Sequence, residues 1–148
     1  LQPLLCCVPP LPSHRSNHFT QKGPHMANIT FQSPIMHRDK TVYAVAGNTK
    51  TILAVARDNA IPIPFDCGDG NCGSCLIEVT SLDAKPAMSM ALTEKEKARL
   101  KELQKITDAE IANAEVNDVP PRFRLACQFI ARDENVTVRF PGTPGGSF

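Results

Sequence analysis

Phe65-Asp66-Cys67-Gly68-Asp69-Gly70-Asn71-Cys72-Gly73-Ser74-Cys75 is the stretch that decides how this chain is read. Three cysteines stand in it at C-x4-C-x2-C spacing. A fourth, Cys127, follows far downstream in Arg124-Leu125-Ala126-Cys127-Gln128. Four thiolates at this spacing suit two irons bridged by two sulfides, with two thiolates on each iron. The glycines let the backbone take positive φ and come close to inorganic sulfide. Successive N–H groups in such a loop can turn inward as a nest, holding a negatively charged cluster and tuning its potential. The pattern predicts one [2Fe–2S] cluster on Cys67, Cys72, Cys75 and Cys127.

Other uses of the cysteines stand beside this one. Disulfides belong to oxidising compartments, and no export signal is legible. Cys72-Gly73-Ser74-Cys75 alone has the form of a redox dithiol, but such pairs usually open a helix after a strand. Gly70 and Asn71 just before it argue for an irregular loop instead. A structural zinc site usually brings two C-x2-C pairs, and one is present here. Four of the six cysteines fit the cluster pattern.

Working outward, Ile61-Pro62-Ile63-Pro64 is extended, because each proline pushes its predecessor out of the α region. It delivers Phe65, read as core beneath the loop. Before it, Thr49 or Thr51 opens a short helix whose apolar face is Leu53, Ala54 and Val55, closed by Ala56-Arg57-Asp58-Asn59. Ala27–Ser33 alternates Ile29 and Phe31 with polar residues, and Thr41–Ala46 reads as its hairpin partner. Ile35–Lys40 makes the turn between them. After Cys75, residues 76–80 read as a strand, as do Arg122–Ala131 (carrying Cys127) and Asn135–Phe140. A mixed sheet clasping one helix is an α+β arrangement of the β-grasp kind.

Fifty-one residues separate Cys75 from Cys127, and residues 83–121 read as a helical insert. Thr93-Glu94-Lys95-Glu96 has capping-box form and opens Lys95–Leu103 as a helix. Leu92, Leu100 and Leu103 can dock it, leaving Glu94, Lys95, Glu96, Lys97, Arg99, Lys101 and Glu102 in water. Thr107-Asp108-Ala109-Glu110 is a second capping box, ahead of Ile111–Ala114. Pro120-Pro121 returns the chain to the sheet. Ordered insertions beside a site often carry partner choice, although a solvated lid is the plainer reading. The Pro- and Gly-rich residues 141–148 read as a flexible tail.

Residues 1–25 read as a disordered leader or a non-native extension. Pro3, Pro9, Pro10 and Pro12 crowd it, Leu4–Val8 lacks the basic flank and cleavage site of a signal peptide, and Met26 is a credible start. Cys6, Cys7, His14 and His18 lie in this leader and are read as unstructured rather than as metal ligands. The 148 residues carry a formal charge of +1, or −1 without Arg15 and Lys22. Neither value argues for nucleic-acid binding. No apolar run is long enough to span a membrane, and a cytoplasmic protein is expected. No nucleophile or acid–base constellation is present: His37 is the one histidine after Met26 and sits in a turn. A fully ligated cluster leaves no open position for substrate, so an enzyme is not expected.

The loop and Arg-Leu-Ala-Cys-Gln resemble plant-type and bacterial [2Fe–2S] ferredoxins. The resemblance implies the β-grasp ferredoxin fold, with the insert between the third and fourth cluster cysteines. The loop is also similar to that of the succinate dehydrogenase iron–sulfur subunit, which has a much closer fourth cysteine and a second cluster domain. From Ala27 to Phe148 the pattern resembles a narrower group, the Shethna protein II type. It shares Pro-Phe-Asp-Cys-Gly-Asp-Gly-Asn-Cys-Gly-Ser-Cys, Leu-Thr-Glu-Lys-Glu, Pro-Pro-Arg-Phe-Arg-Leu-Ala-Cys-Gln and the Pro-Gly-Gly tail.

That resemblance implies a homodimer that protects nitrogenase from oxygen. When oxidised, it joins the molybdenum–iron protein and the iron protein in an inactive, oxygen-tolerant complex. Oxidation removes one negative charge at the cluster, and a swing from 1:99 to 99:1 needs about 5.5 kcal/mol of differential binding. Arg38, Lys40, Lys95, Lys97, Arg99 and Lys101 are the candidate docking cations. The alternative is a low-potential electron carrier serving a reductase or oxygenase, at roughly −400 mV for plant-type clusters.

Overall fold

A computed structural model describes residues 26–45, 49–86 and 90–148. The readings of 1–25 and of the Gly47-Asn48 turn lie outside those residues. In chain order the elements are β1 (Met26–Gln32), β2 (Lys40–Val45), α1 (Ile52–Asp58) and β3 (Leu76–Ser81). Then come α2 (Glu94–Glu102), α3 (Asp108–Asn117), β4 (Phe123–Leu125) and β5 (Asn135–Arg139). The sheet runs β2-β1-β5-β3-β4. β1 pairs parallel with β5, and the other pairings are antiparallel.

Side-chain period sets which face is buried. Ala27, Ile29 and Phe31 of β1 and Val136 and Val138 of β5 point into one core, while Asn28, Thr30 and Thr137 between them stay partly wet. α1 closes that core with Ile52, Leu53, Val55 and Ala56. Thr51 is its cap, accepting the Ala54 amide at 3.2 Å. The first-turn amides of a helix lack partners within it. Here Ile52 N donates to Phe129 O at 2.7 Å and Leu53 N to Ala126 O at 2.9 Å. The helix start thereby clamps the segment that carries Cys127.

That segment departs from expectation. The strand read over Arg122–Ala131 is only Phe123–Leu125, and Ala126–Gln128 form a turn. Gln128 N and Phe129 N both donate to Leu125 O at 2.9 Å, and Ala126 N donates to Cys75 O at 3.0 Å. A continued strand would carry Cys127 past Cys75; the turn folds it back onto it.

The insert forms two helices, with its own departures. Thr107 and Glu110 complete a reciprocal capping box on α3. On α2, Thr93 accepts Glu96 N at 3.2 Å, but the Glu96 side chain does not reach back. It is fully buried, not wet. It accepts Arg124 Nε at 2.7 Å, Arg124 Nη2 at 3.0 Å and Leu125 N at 2.9 Å. A buried guanidinium demands a carboxylate, and the bidentate geometry supplies it. Leu92 and Leu100 are buried as expected, whereas Leu103 is 37% exposed and leans on the cysteine loop.

The tail, read as flexible, has defined contacts. Gly145 N donates to Ser74 O at 3.3 Å. The Phe148 ring packs at a tilt on Phe123, centroids 5.6 Å apart. No helix among the described residues is long and apolar enough to cross a membrane.

Candidate metal centre

The structure brings the four cysteines of the sequence pattern together as two pairs. Cys67 Sγ lies 3.0 Å from Cys72 Sγ, and Cys75 Sγ lies 3.2 Å from Cys127 Sγ. The first pair is at the surface, with Cys67 exposed; Cys75 and Cys127 are buried. Among the described residues no three His, Cys, Asp or Glu side chains gather around a single ion position. A structural zinc would want four donors around one ion. Two pairs instead would suit a binuclear iron–sulfur group held by all four thiolates.

The backbone around the outer pair is built to meet sulfur. Asp69 N and Cys72 N point at Cys67 Sγ (3.5 and 3.3 Å), and Ser74 N points at Cys72 Sγ (3.4 Å). Two glycines make the curvature and the packing possible. Gly70 has φ +89°, and a Cβ there would sit 3.0 Å from the Gln128 side chain. Gly73 has φ +76°, and its Cβ would meet Leu103 Cδ1 at 2.8 Å and Arg99 Cγ at 3.0 Å. Helix α2 therefore lies directly on the cysteine loop.

The thiols differ in acidity within each pair. At Cys72, burial opposes ionisation, but hydrogen bonds from Cys67 and Ser74 outweigh it and bring the thiol down to about 6. The hydrogen bond from Cys75 to Cys127, and then burial, push Cys75 up. That bond, against burial, brings Cys127 down to about 7. One thiol of each pair gives up its proton readily, and metal ligation displaces both. These donors fit a [2Fe–2S] group, which when bound supplies one-electron chemistry.

Asp69 and Asp66 rim the loop. The Cys67 side chain, then the Asn71 amide, hold the Asp69 carboxyl below its usual range, and Asp66 accepts the Ser74 hydroxyl. Phe65 is not core beneath the loop. It is 39% exposed, with the Arg57 guanidinium 5.3 Å over its ring. The extended approach from Ile61 leaves its side chain at the surface beside Cys67.

The six candidate docking cations fall into two sets, which no hydrogen bond or ion pair among the described residues joins. Arg38 and Lys40 lie on the β1–β2 hairpin, where Lys40 Nζ donates to Asn59 O at 2.6 Å. On α2, Lys97 pairs with Glu94 at 2.8 Å and with Glu115. Arg99 pairs with Glu102 at 2.5 Å, and Lys101 with Asp108. Lys95 instead reaches the cysteine loop, 3.5 Å from Asp69 O.

Sequence reading missed Glu96 and Arg124, and the contacts of Gln128. One signal was available. Arg124 sits inside an otherwise apolar run next to a ligand, and a buried guanidinium there needs an acid from elsewhere.

The fold and the paired thiols define an iron–sulfur protein of the β-grasp class. Comparison narrows this. The family described as "2Fe-2S iron-sulfur cluster binding domain" matches residues 35–132, so the chain belongs to the [2Fe–2S] ferredoxins and carries a single such cluster. Ferredoxin-5 of Rhodobacter capsulatus is 76% identical over 122 residues, covering 82% of this chain and 99% of that one. Among solved structures, oxidised putidaredoxin aligns with TM-score 0.49 and 19% identity, covering 79% of this chain and 98% of that one. The ferredoxin of Trichomonas vaginalis aligns with TM-score 0.46 and 18% identity, covering 76% and 99%.

Proposed function

We propose that this ferredoxin is a redox switch of the Shethna protein II type. Cys67, Cys72, Cys75 and Cys127 would together hold its [2Fe–2S] cluster. The oxidised protein, as a cytoplasmic homodimer, binds the molybdenum–iron and iron proteins of nitrogenase and shields them from oxygen. The observation that carries the reading is the seat of the insert. Helix α2 touches the cysteine loop at Gly73 and, through Glu96, the end of β4 just before the Cys127 turn. A change of one unit of charge at the thiolates therefore falls beside a surface with its own caps and ion pairs. Within a low-dielectric contact such a charge supplies part of the about 5.5 kcal/mol a clean switch requires, and two copies in a dimer add avidity.

Of the six cations, Lys95 is placed best to sense that charge, since it reaches the loop itself. Lys97, Arg99 and Lys101 are engaged by carboxylates of the insert. Docking through them would require those pairs to open. Arg38 and Lys40 form a second docking patch on the hairpin.

A second reading, plain electron carriage, is supported by the exposure of Cys67, which leaves one edge of the site at the surface. The deciding experiment mixes both nitrogenase components with tagged protein, once oxidised without air and once reduced by dithionite. Capture of both components only by the oxidised form supports the switch. Capture in neither state, with a reversible cluster spectrum, leaves electron carriage. Reversing Lys95 to Glu then weakens oxidised capture; unchanged capture removes Lys95 from the docking surface, and unchanged capture on reversing Lys95, Lys97, Arg99 and Lys101 together removes α2.

A further inference from the structure

The turn that carries Cys127 and the start of α2 meet through one amide. Thr93, the cap of α2, accepts Glu96 N with its Oγ1 at 3.2 Å. Its own hydrogen goes to Gln128 Oε1, also at 3.2 Å. The other end of the Gln128 amide faces Cys127: Nε2 lies 3.3 Å from the Cys127 carbonyl oxygen and 3.9 Å from its Sγ. A flipped amide would set Oε1 against two acceptors, so the Cys127 side fixes its orientation. The Gln128 side chain also covers Gly70, where a Cβ would strike it at 3.0 Å. Gln128 is thus held by the helix cap, by the cysteine loop and by the backbone of the buried ligand turn.

We propose that Thr93 is a positioning residue that aims the Gln128 amide N–H at the Cys127 sulfur, so that the helical insert raises the reduction potential of the cluster. Reduction adds one electron from an external one-electron donor, with no bond made or broken and no proton required. The reduced site would carry one more negative charge, centred on iron and shared in part with its sulfur ligands. An N–H aimed at sulfur stabilises that form more than the oxidised one. Removing the donor, or letting it swing away, favours oxidation. The helix cap therefore sets a property of the cluster, independently of which partner the protein serves.

The test is a spectroelectrochemical titration of the cluster-loaded protein. Gln128→Leu removes the donor and leaves every helix cap intact. It is expected to shift the reduction equilibrium toward oxidised by about threefold to tenfold, or about 30–60 mV more negative at 59 mV per tenfold for one electron. Thr93→Val shifts it in the same direction, and Thr93→Ser restores the native potential. Thr107→Ala is the control: it removes the cap of α3, which has no bond to the cysteine turn, and leaves the potential in place. The double variant Thr93→Val/Gln128→Leu moves no further than Gln128→Leu alone. A Gln128→Leu protein at the native potential overturns the proposal. So does a Thr107→Ala shift equal to that of Thr93→Val, because the potential would then report a loosened insert and not an aimed amide.

Discussion

The cysteine loop and the helical insert are held in opposite ways. Residues 65–75 contain no regular structure, yet backbone bonds fix their shape: amides point at sulfur, glycines take positive φ, and Cys75 O is tied to the Cys127 turn. The insert carries two helices, each capped at its start, yet the helices themselves bury little. α2 buries only Glu96 and Leu100, and α3 only Ala114. Local regularity and tertiary anchoring are separate properties. The loop has the second without the first, and the insert owes its anchoring to very few side chains. The sharpest way to break the contrast is at a ligand. Cys127→Ala removes one thiolate of the buried pair and puts no other donor in its place. Because binding free energy of a metal group is also folding free energy, the variant is expected to lose its visible absorbance and iron almost completely. Its thermal midpoint should then fall toward that of the cluster-free chain, and a full iron complement would refute the assignment.

The next largest effect is expected in the insert. Glu96→Gln leaves Arg124 buried without its charge partner, and breaking one side of a buried pair costs about 3–5 kcal/mol. Denaturant unfolding checks this. Replacing the pair together, Glu96→Leu with Arg124→Met, should recover most of the loss, because no uncompensated charge remains. If Glu96→Gln is as mild as a surface substitution, the ion pair is not what anchors α2.

What the sequence made legible follows the same division. The loop could be read from spacing and glycine content, because ligand number and backbone freedom are local properties. Five strands, α1 and both insert helices were legible from alternation and capping residues. Thr93 and Thr107 both cap as expected, but their Glu partners diverge. Glu110 completes its box, whereas Glu96 turns away to Arg124. Identical local signals gave different outcomes because a buried guanidinium lies within reach of one and not the other. Nothing within four residues of Glu96 announces that. The break after Leu125 was hidden for a similar reason. Phe123, Leu125 and Phe129 keep strand parity in sequence, but the demand that Cys127 meet Cys75 overrides it. Phe65 and the docked Phe148 are placed by contacts with remote residues, Arg57 and Phe123, that periodicity does not report.

The contact between the two regions can be tested at Gly73. An alanine there must adopt φ +76° and place its Cβ 2.8 Å from Leu103 Cδ1. Strain and overpacking together are expected to cost about 1–3 kcal/mol. Adding Leu103→Ala should relieve the packing part and leave the backbone part. If Gly73→Ala alone is neutral by denaturant unfolding, α2 does not press on the loop as described.

The smallest expected effect lies at the far end of the insert, where a reciprocal capping box closes the first turn of α3. Glu110 accepts Thr107 N at 2.7 Å and the Thr107 hydroxyl at 2.8 Å. The hydroxyl first, then the amide, hold its carboxyl below the ordinary value of 4.5. A carboxyl whose value is lowered on folding contributes its full stabilisation above the unfolded value. It loses that contribution as the pH falls through the folded one. The first turn of α3 should therefore loosen below about pH 4.5 before the sheet does. Amide exchange in that turn should quicken by about two- to fivefold beyond the intrinsic pH effect. Glu110→Gln should show the looser turn at neutral pH and remove most of the excess pH dependence. Because α3 shares no ligand with the cysteine loop, the cluster spectrum should stay constant throughout. A spectrum that tracks Glu110 would mean that the two regions are coupled more tightly than their separate anchoring implies.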